Sequence, residues 1–133
     1  MGACKPILTP QVPLSKLLPL GITDSEPAKP HYWRDVGLLN YLVACTRPDL
    51  AYSASCLSQF LSFSSHDHEL PLMHILLYLE GMSTWGLWIG RQGDNFSIFA
   101  YFNSDRGSND DSRSFSGSFV FLYGLIGWKT MKQ

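Results

Sequence analysis

The sequence lacks any charge excess. Ten lysines and arginines stand against eleven aspartates and glutamates, a formal net charge of -1 over 133 residues. Neutralisation of phosphates by basic side chains supplies most of the affinity of a free-standing nucleic-acid binder, so this balance counts against strong binding to RNA or DNA. Cysteine is scarce as well. Cys4, Cys45 and Cys56 cannot all pair with one another, no CxxC is present, and no Cys/His cluster has zinc spacing. All three read as reduced thiols in an intracellular chain. No apolar run approaches the roughly 20 residues of a membrane span, and Met1 to Pro10 has no apolar signal core. A cytoplasmic or nuclear location, away from membranes, is expected.

What is present suits a folded protein. Hydrophobic residues make up 45% and charged residues 16%, a globular rather than a disordered balance. The length is enough for one small domain or for two pieces of larger ones. Six of the eight prolines (Pro6, Pro10, Pro13, Pro19, Pro27 and Pro30) fall within residues 1–31. Each removes a backbone donor and pushes the preceding residue out of the helical region. Residues 1–31 are therefore expected to be an extended arm that needs another surface to lie on.

Helical periodicity begins near Tyr32. Val36, Leu39 and Val43, with Leu42 beside them, predict a helix from about Tyr32 to Ala44. Pro48 suits the first turn of a second helix, where its missing N–H costs nothing, and Asp49 complements the positive helix end. Leu50, Ala54, Leu57 and Leu61 give that helix one apolar stripe to about Phe63, before the polar run Ser62 to Asp67. Leu72, Ile75, Leu76 and Leu79 predict a third, with Pro71 in its first turn and Gly81 as its stop.

Residues 32–85 are thus expected to be helical. From residue 86 the period shortens. Phe96, Ile98, Ala100 and Phe102 alternate with Ser97, Phe99, Tyr101 and Asn103, which is strand spacing. Phe119 to Tyr123 and Leu125 to Lys129 read as two more strands joined at Gly124, and Ser104 to Ser116 as a polar, turn-rich linker. The expected fold class is α+β, with about three helices followed by an antiparallel β-meander over residues 86–133.

Several landmarks, in order, resemble the Pol polyprotein of Ty1/copia-type retrotransposons. Cys4-Lys5-Pro6 and Thr9-Pro10 resemble that family's C-K-P-x-x-T-P. Tyr32, Val36, Gly37, Leu39, Tyr41 and Leu42 match Y-R-x-x-V-G-x-L-x-Y-L, with Trp33 where arginine is usual. Thr46-Arg47-Pro48-Asp49-Leu50-Ala51 matches T-R-P-D-[IL]-A, and Ser58-Gln59-Phe60 resembles S-x-F. His68, Ile75, Leu76, Tyr78, Leu79 and Gly81 fit H-W-x-A-A-K-R-I-L-R-Y-L-K-G-T. Asp110-Asp111 with Ser114-Phe115-Ser116-Gly117 fits D-D-R-[RK]-S-T-S-G, and Ile126-Gly127-Trp128-Lys129 with Lys132-Gln133 fits I-S-W-[KS]-S-K-K-Q.

The resemblance implies thumb-like helices at the end of a reverse transcriptase, running into the truncated start of a ribonuclease H-like domain. In intact relatives both activities need carboxylates around two magnesium ions. On this alignment the palm aspartates belong upstream of Met1, and a later ribonuclease H glutamate belongs beyond Gln133. The pair Asp110-Asp111 falls in the polar linker. The first ribonuclease H aspartate falls on Asn103, whose neutral amide offers one acceptor oxygen and loses most of the attraction for a divalent ion. Asp105 matches the motif's second aspartate, and would substitute only if the strand register slipped by two. No intact catalytic site, metal or cofactor is therefore expected. Arg47, Pro48, Asp49, Gly37, Gly81 and Gly117 are the motif positions expected to serve structure. In the third helix the family's basic positions hold Met73, His74, Leu77 and Glu80, which implies only weak affinity for RNA or DNA.

Other candidates have plainer readings. His66, His68 and His74 lack a second ligand type and read as solvated or packing histidines. Trp33, Trp85, Trp88 and Trp128 read as core or strand-edge aromatics before base-stacking platforms. Ser116-Gly117-Ser118 lacks the flanking glycine of a nucleophile elbow. The expected role is a degenerate, non-catalytic fragment. A weak nucleic-acid-binding module and a recruited protein-interaction module are the alternatives, with self-association through exposed strands.

Overall fold

Helices come first in the chain and strands follow. The computed structural model describes residues 7–10, 29–62, 66–90, 97–105 and 114–133, with His66 and Asp67 described by backbone alone. Two compact units result, Met1–Trp85 and Gly86–Gln133. Three helices and a three-stranded antiparallel sheet make the fold α+β.

In the first unit, helix α1 spans Pro30–Cys45 and starts on a proline, where the missing N–H has no helical partner to lose. It therefore begins two residues inside the expected arm. The rest of the arm, apart from residues 7–10 and Lys29, lies outside the described residues. Tyr32, Val36 and Leu39 form the buried stripe of α1 at spacings of four and three.

The expected second helix is split and shorter. Pro48–Leu50 is a 3₁₀ turn, and helix α2 runs only over Ala51–Ser58. Leu50, Ala54 and Leu57 are buried, and Leu61 packs against them from beyond the helix end.

Helix α3 spans His66–Gly81, so Pro71 lies inside it rather than in its first turn. An internal proline loses one backbone hydrogen bond and crowds the preceding turn. Tertiary contacts outweigh that cost. His68 is buried and stacks on Phe60 with ring centroids 4.0 Å apart, and Glu69 pairs with Lys29 at 2.8 Å. The buried stripe of α3 is Leu72, Ile75 and Tyr78, whereas Leu76 turns outward. The three stripes meet in one core with Val43, Leu79 and Met82 at its margin.

The second unit is a meander of β1 (Phe99–Ser104), β2 (Phe115–Phe121) and β3 (Leu125–Lys132), in the order β1-β2-β3. Both ends of the expected linker are strand, because Ser104 pairs with Ser116 and Phe115 with Lys132. The β2–β3 turn has Tyr123 at φ 55° and Gly124 at φ 157°. A Cβ at Gly124 would lie 2.6 Å from the Trp88 carbonyl oxygen, so only glycine lets the Trp88–Ile89 backbone approach. The Gly90 N–H closes the contact on the Tyr123 carbonyl at 2.9 Å. Tyr101 and Phe121 meet edge to face at 5.9 Å on one face of the sheet. Phe115 is the only buried residue described in this unit.

Candidate functional site

Asn103 lies on β1 directly opposite Gly117 of β2. It belongs to the rim of an open cavity of about 560 Å³, shared with Phe102, Ser104, Ser116, Gly117, Ser118, Lys129, Met131 and Gln133. Three separate motif segments converge there. The Gln133 side-chain amide donates to the Ser116 hydroxyl at 2.6 Å, and its backbone N–H donates to the Ser114 carbonyl at 2.8 Å. The lining offers hydroxyls, amides and one ammonium, and no carboxylate. With Phe102 and Met131 in the lining, the cavity is more apolar than polar, edged by these hydrogen-bonding groups.

Asp105 closes the end of the β1–β2 ladder. Its backbone N–H donates to the Phe115 carbonyl at 3.0 Å, and its carboxylate accepts the Phe115 N–H in return. That carboxylate is thus engaged by the backbone. Arg106, Gly107 and Asp110-Asp111 lie outside the described residues. Among the described residues, no group of three or more His, Cys, Asp or Glu side chains could hold a metal ion.

A second cluster sits in the helical unit. Arg47 is buried, with 8% of its surface exposed. Its Nε and Nη2 donate to the two oxygens of Asp49 at 3.0 and 2.8 Å, a bidentate geometry. Nη1 donates to the Met82 carbonyl just past the end of α3, at 3.4 Å. The Tyr78 hydroxyl donates to Asp49 Oδ2 at 2.9 Å, and the guanidinium carbon lies 5.5 Å from the Tyr78 ring centroid. The corner between α1 and α2 is thereby tied to the end of α3.

Ionisation follows from these contacts. The hydrogen bond to Asp49 raises the Arg47 pKa, against the opposing effect of burial. Burial disfavours the Asp49 anion, but hydrogen bonds from Arg47 and Tyr78 outweigh it and hold the carboxyl below its ordinary range. Desolvation raises the Tyr78 hydroxyl, helped by its bond to Asp49.

Tyr78 was not singled out in the sequence as a partner of this pair, being 29 residues from Asp49. The residues that hold the arm were also missed. The Ser53 hydroxyl donates to the Pro10 carbonyl at 3.2 Å, and His74 Nε2 donates to the Thr9 carbonyl at 2.9 Å. The only advance sign was the arm's need for a supporting surface.

The remaining candidates are placed as follows. Met73 is 58% exposed, Glu80 is exposed, and His74 and Leu77 are half-buried. Of the expected core or strand-edge aromatics, Trp33, Trp85 and Trp88 are more than half exposed and so lie outside the core, and Trp128 is half-buried on β3. An added Cβ at Gly37 or Gly117 would meet nothing within 4 Å, so neither position needs glycine for space. Gly81 is the last residue of α3. Cys45 and Cys56 are free thiols, and Cys4 lies outside the described residues.

Known proteins similar to this chain fall mainly into one group. It is 38% identical over 136 residues to a retrovirus-related Pol polyprotein from transposon RE1 of Arabidopsis thaliana, covering all of this chain and 9% of that protein. It is 31% identical over 140 residues to a retrovirus-related Pol polyprotein from transposon TNT 1-94 of Nicotiana tabacum, covering all of this chain and 10% of that protein. Over 104 residues it is 34% identical to a secreted RxLR effector protein 161 of Plasmopara viticola, covering 77% of this chain and 72% of that one. The chain therefore spans about a tenth of the length of the Pol polyproteins it matches. No family model matches the chain, and no solved structure does.

Proposed function

Because this chain belongs to the Pol family of Ty1/copia-type retrotransposons, we propose that it is a non-catalytic segment of such a polyprotein. In this reading the helical unit derives from the end of the reverse transcriptase, and the meander derives from the opening of its ribonuclease H. The observation that carries it is Asn103, which stands where the resemblance puts the first metal-binding aspartate. Magnesium, the ion that resemblance implies, does not fit the residues present. An amide offers no negative charge, the cavity beside it has no carboxylate, and the Asp105 carboxylate accepts the Phe115 N–H.

The same reading gives weak affinity for RNA or DNA. The exposed positions Met73 and Glu80 offer a thioether and a carboxylate where a phosphate rail needs cations. A cytoplasmic or nuclear location belongs to it too, and among the described residues no helix is long and apolar enough to cross a membrane. The test is incubation of the purified chain with an RNA–DNA hybrid and with a primed template, in magnesium and in manganese. No cleavage and no extension above buffer background are expected. Cleavage lost on chelation would overturn the reading.

A further inference from the structure

Residues 7–10 lie on the helical unit through their main chain. The Ser53 hydroxyl on α2 donates to the Pro10 carbonyl at 3.2 Å, and His74 Nε2 on α3 donates to the Thr9 carbonyl at 2.9 Å. Two donors from two helices thus grip two successive carbonyls. Ser53 is only 7% exposed. A polar side chain that deep needs a partner, and its hydroxyl finds one in the arm.

The side chains of the segment follow a pattern of their own. Ile7 and Pro10 are half-buried, whereas Leu8 and Thr9 are exposed, Leu8 by 77%. The segment bends at Leu8 and Pro10 and contains no helix or strand. Proline suits the inner position, because it has no N–H to leave unpaired there. The surface of α2 and α3 therefore reads apolar-x-x-proline, with carbonyl acceptors at the last two residues.

We propose that this surface is a peptide-binding site for non-helical segments of the form apolar-x-x-proline, and that the arm is its resident, exchangeable ligand. The arm is free to exchange because none of residues 7–10 belongs to the buried core of the helices. Its departure leaves that core with no missing side chain. It does leave two donors in want of acceptors, and the carbonyls of another segment satisfy both. The grip makes no use of the side chains at Leu8 and Thr9, so an incoming segment is unrestricted at those two positions. Such a segment competes against an arm that is tethered to the site and so has a high effective concentration. Its apparent affinity is reduced by the fraction of time the arm is in place. The inference does not depend on the absence of catalysis.

The experiment uses the full chain and an end-blocked fluorescent peptide of residues 6–11, PILTPQ, with anisotropy as the readout. Wild type should bind the peptide weakly and saturably. Ile7→Asp in the chain weakens the resident arm without altering the helices. It should tighten peptide binding by about fivefold, the worth of a half-buried aliphatic side chain. Ser53→Ala with His74→Ala, added to that Ile7→Asp chain, should abolish the gain while the helical signal in circular dichroism stays unchanged. A peptide that itself carries Ile7→Asp should not compete. Should the two alanines unfold the helices, the Ile7→Asp chain and the Ile7→Asp peptide carry the test. The inference is overturned by an Ile7→Asp chain that binds no peptide or binds it no tighter than wild type does. Competition by the Ile7→Asp peptide, or a gain that survives in a folded chain without the Ser53 and His74 donors, would overturn it equally.

Discussion

The Tyr32 hydroxyl donates to the Leu57 carbonyl oxygen at 3.0 Å, from a side chain with no exposed surface, and so joins α1 to α2 through the middle of the core. Burial pushes its pKa up to about 12. A phenol held neutral in the fold contributes stability that is present in full below its unfolded pKa of about 10 and lost as pH rises through about 12. Between those two pH values the loss amounts to about 2–3 kcal/mol. Tyr32→Phe should lower stability at pH 7 by about 0.5–1.5 kcal/mol, the usual net value of one hydrogen bond. It should also remove the alkaline loss, which urea melts at pH 8, 10 and 11 would check.

Arg47 should be the most sensitive charged position. Removing one partner of a buried pair costs about 3–5 kcal/mol, but the Asp49 side chain is 37% exposed and solvent screens part of the attraction. Arg47→Ala is therefore expected to cost about 1–3 kcal/mol, and Arg47→Lys much of it, because lysine cannot reproduce the bidentate fork. The Asp49 pKa is lowered, so its contribution is present at neutral pH and is lost as pH falls through the folded pKa. Acid titration of wild type and Asp49→Asn should converge at low pH. A constant gap between them would contradict the assignment.

Returning the missing carboxylate should not create an enzyme. Asn103→Asp adds one anion to β1, short of the several carboxylates that two metal ions require, and the cavity lining offers no other. No metal-dependent hybrid cleavage is expected. Calorimetric titration with magnesium checks the same point independently, and saturable binding by Asn103→Asp would count against it.

Binding to nucleic acid should be near the non-specific level, about 10⁻⁴–10⁻⁶ M or weaker at physiological salt. Met73→Lys with Glu80→Lys puts two cations on exposed positions of α3 without touching its buried stripe. The slope of log affinity against log salt should then steepen by about 0.9 for each phosphate reached, or about 2 in all. Fluorescence anisotropy across a salt series reads this directly. An unchanged slope would mean that this face meets no backbone.

The parts of the fold that were legible in the sequence are those decided by local pattern. The stripe of α1 and the tight turn at Gly124 were visible because spacing and backbone freedom are properties of neighbouring residues. The start of α3 was misplaced because Pro71 obeys a helix-start preference that contacts of His68 and Glu69 override. Ser114 to Ser116 read as linker because nothing local announces that the Phe115 N–H and C=O both meet Asp105, ten residues away. In the candidate site, Asn103 was found by motif alone. The ties of Arg47 to Tyr78 and Met82 were not, since they cross about thirty residues of chain and depend on how three helices pack.

The grip of Ser53 and His74 on Pro10 and Thr9 spans 43 and 65 residues of chain, far more than the contacts within any one helix. Closing loops of that length costs entropy before any contact offsets it. The helices can meet through short connections first, so residues 7–10 are expected to dock after the rate-limiting step. Cutting the grip with Ser53→Ala and His74→Ala should therefore leave the refolding rate nearly unchanged and quicken unfolding. On this view the arm is a latch on the lifetime of the folded helical unit, with no part in how fast that unit forms.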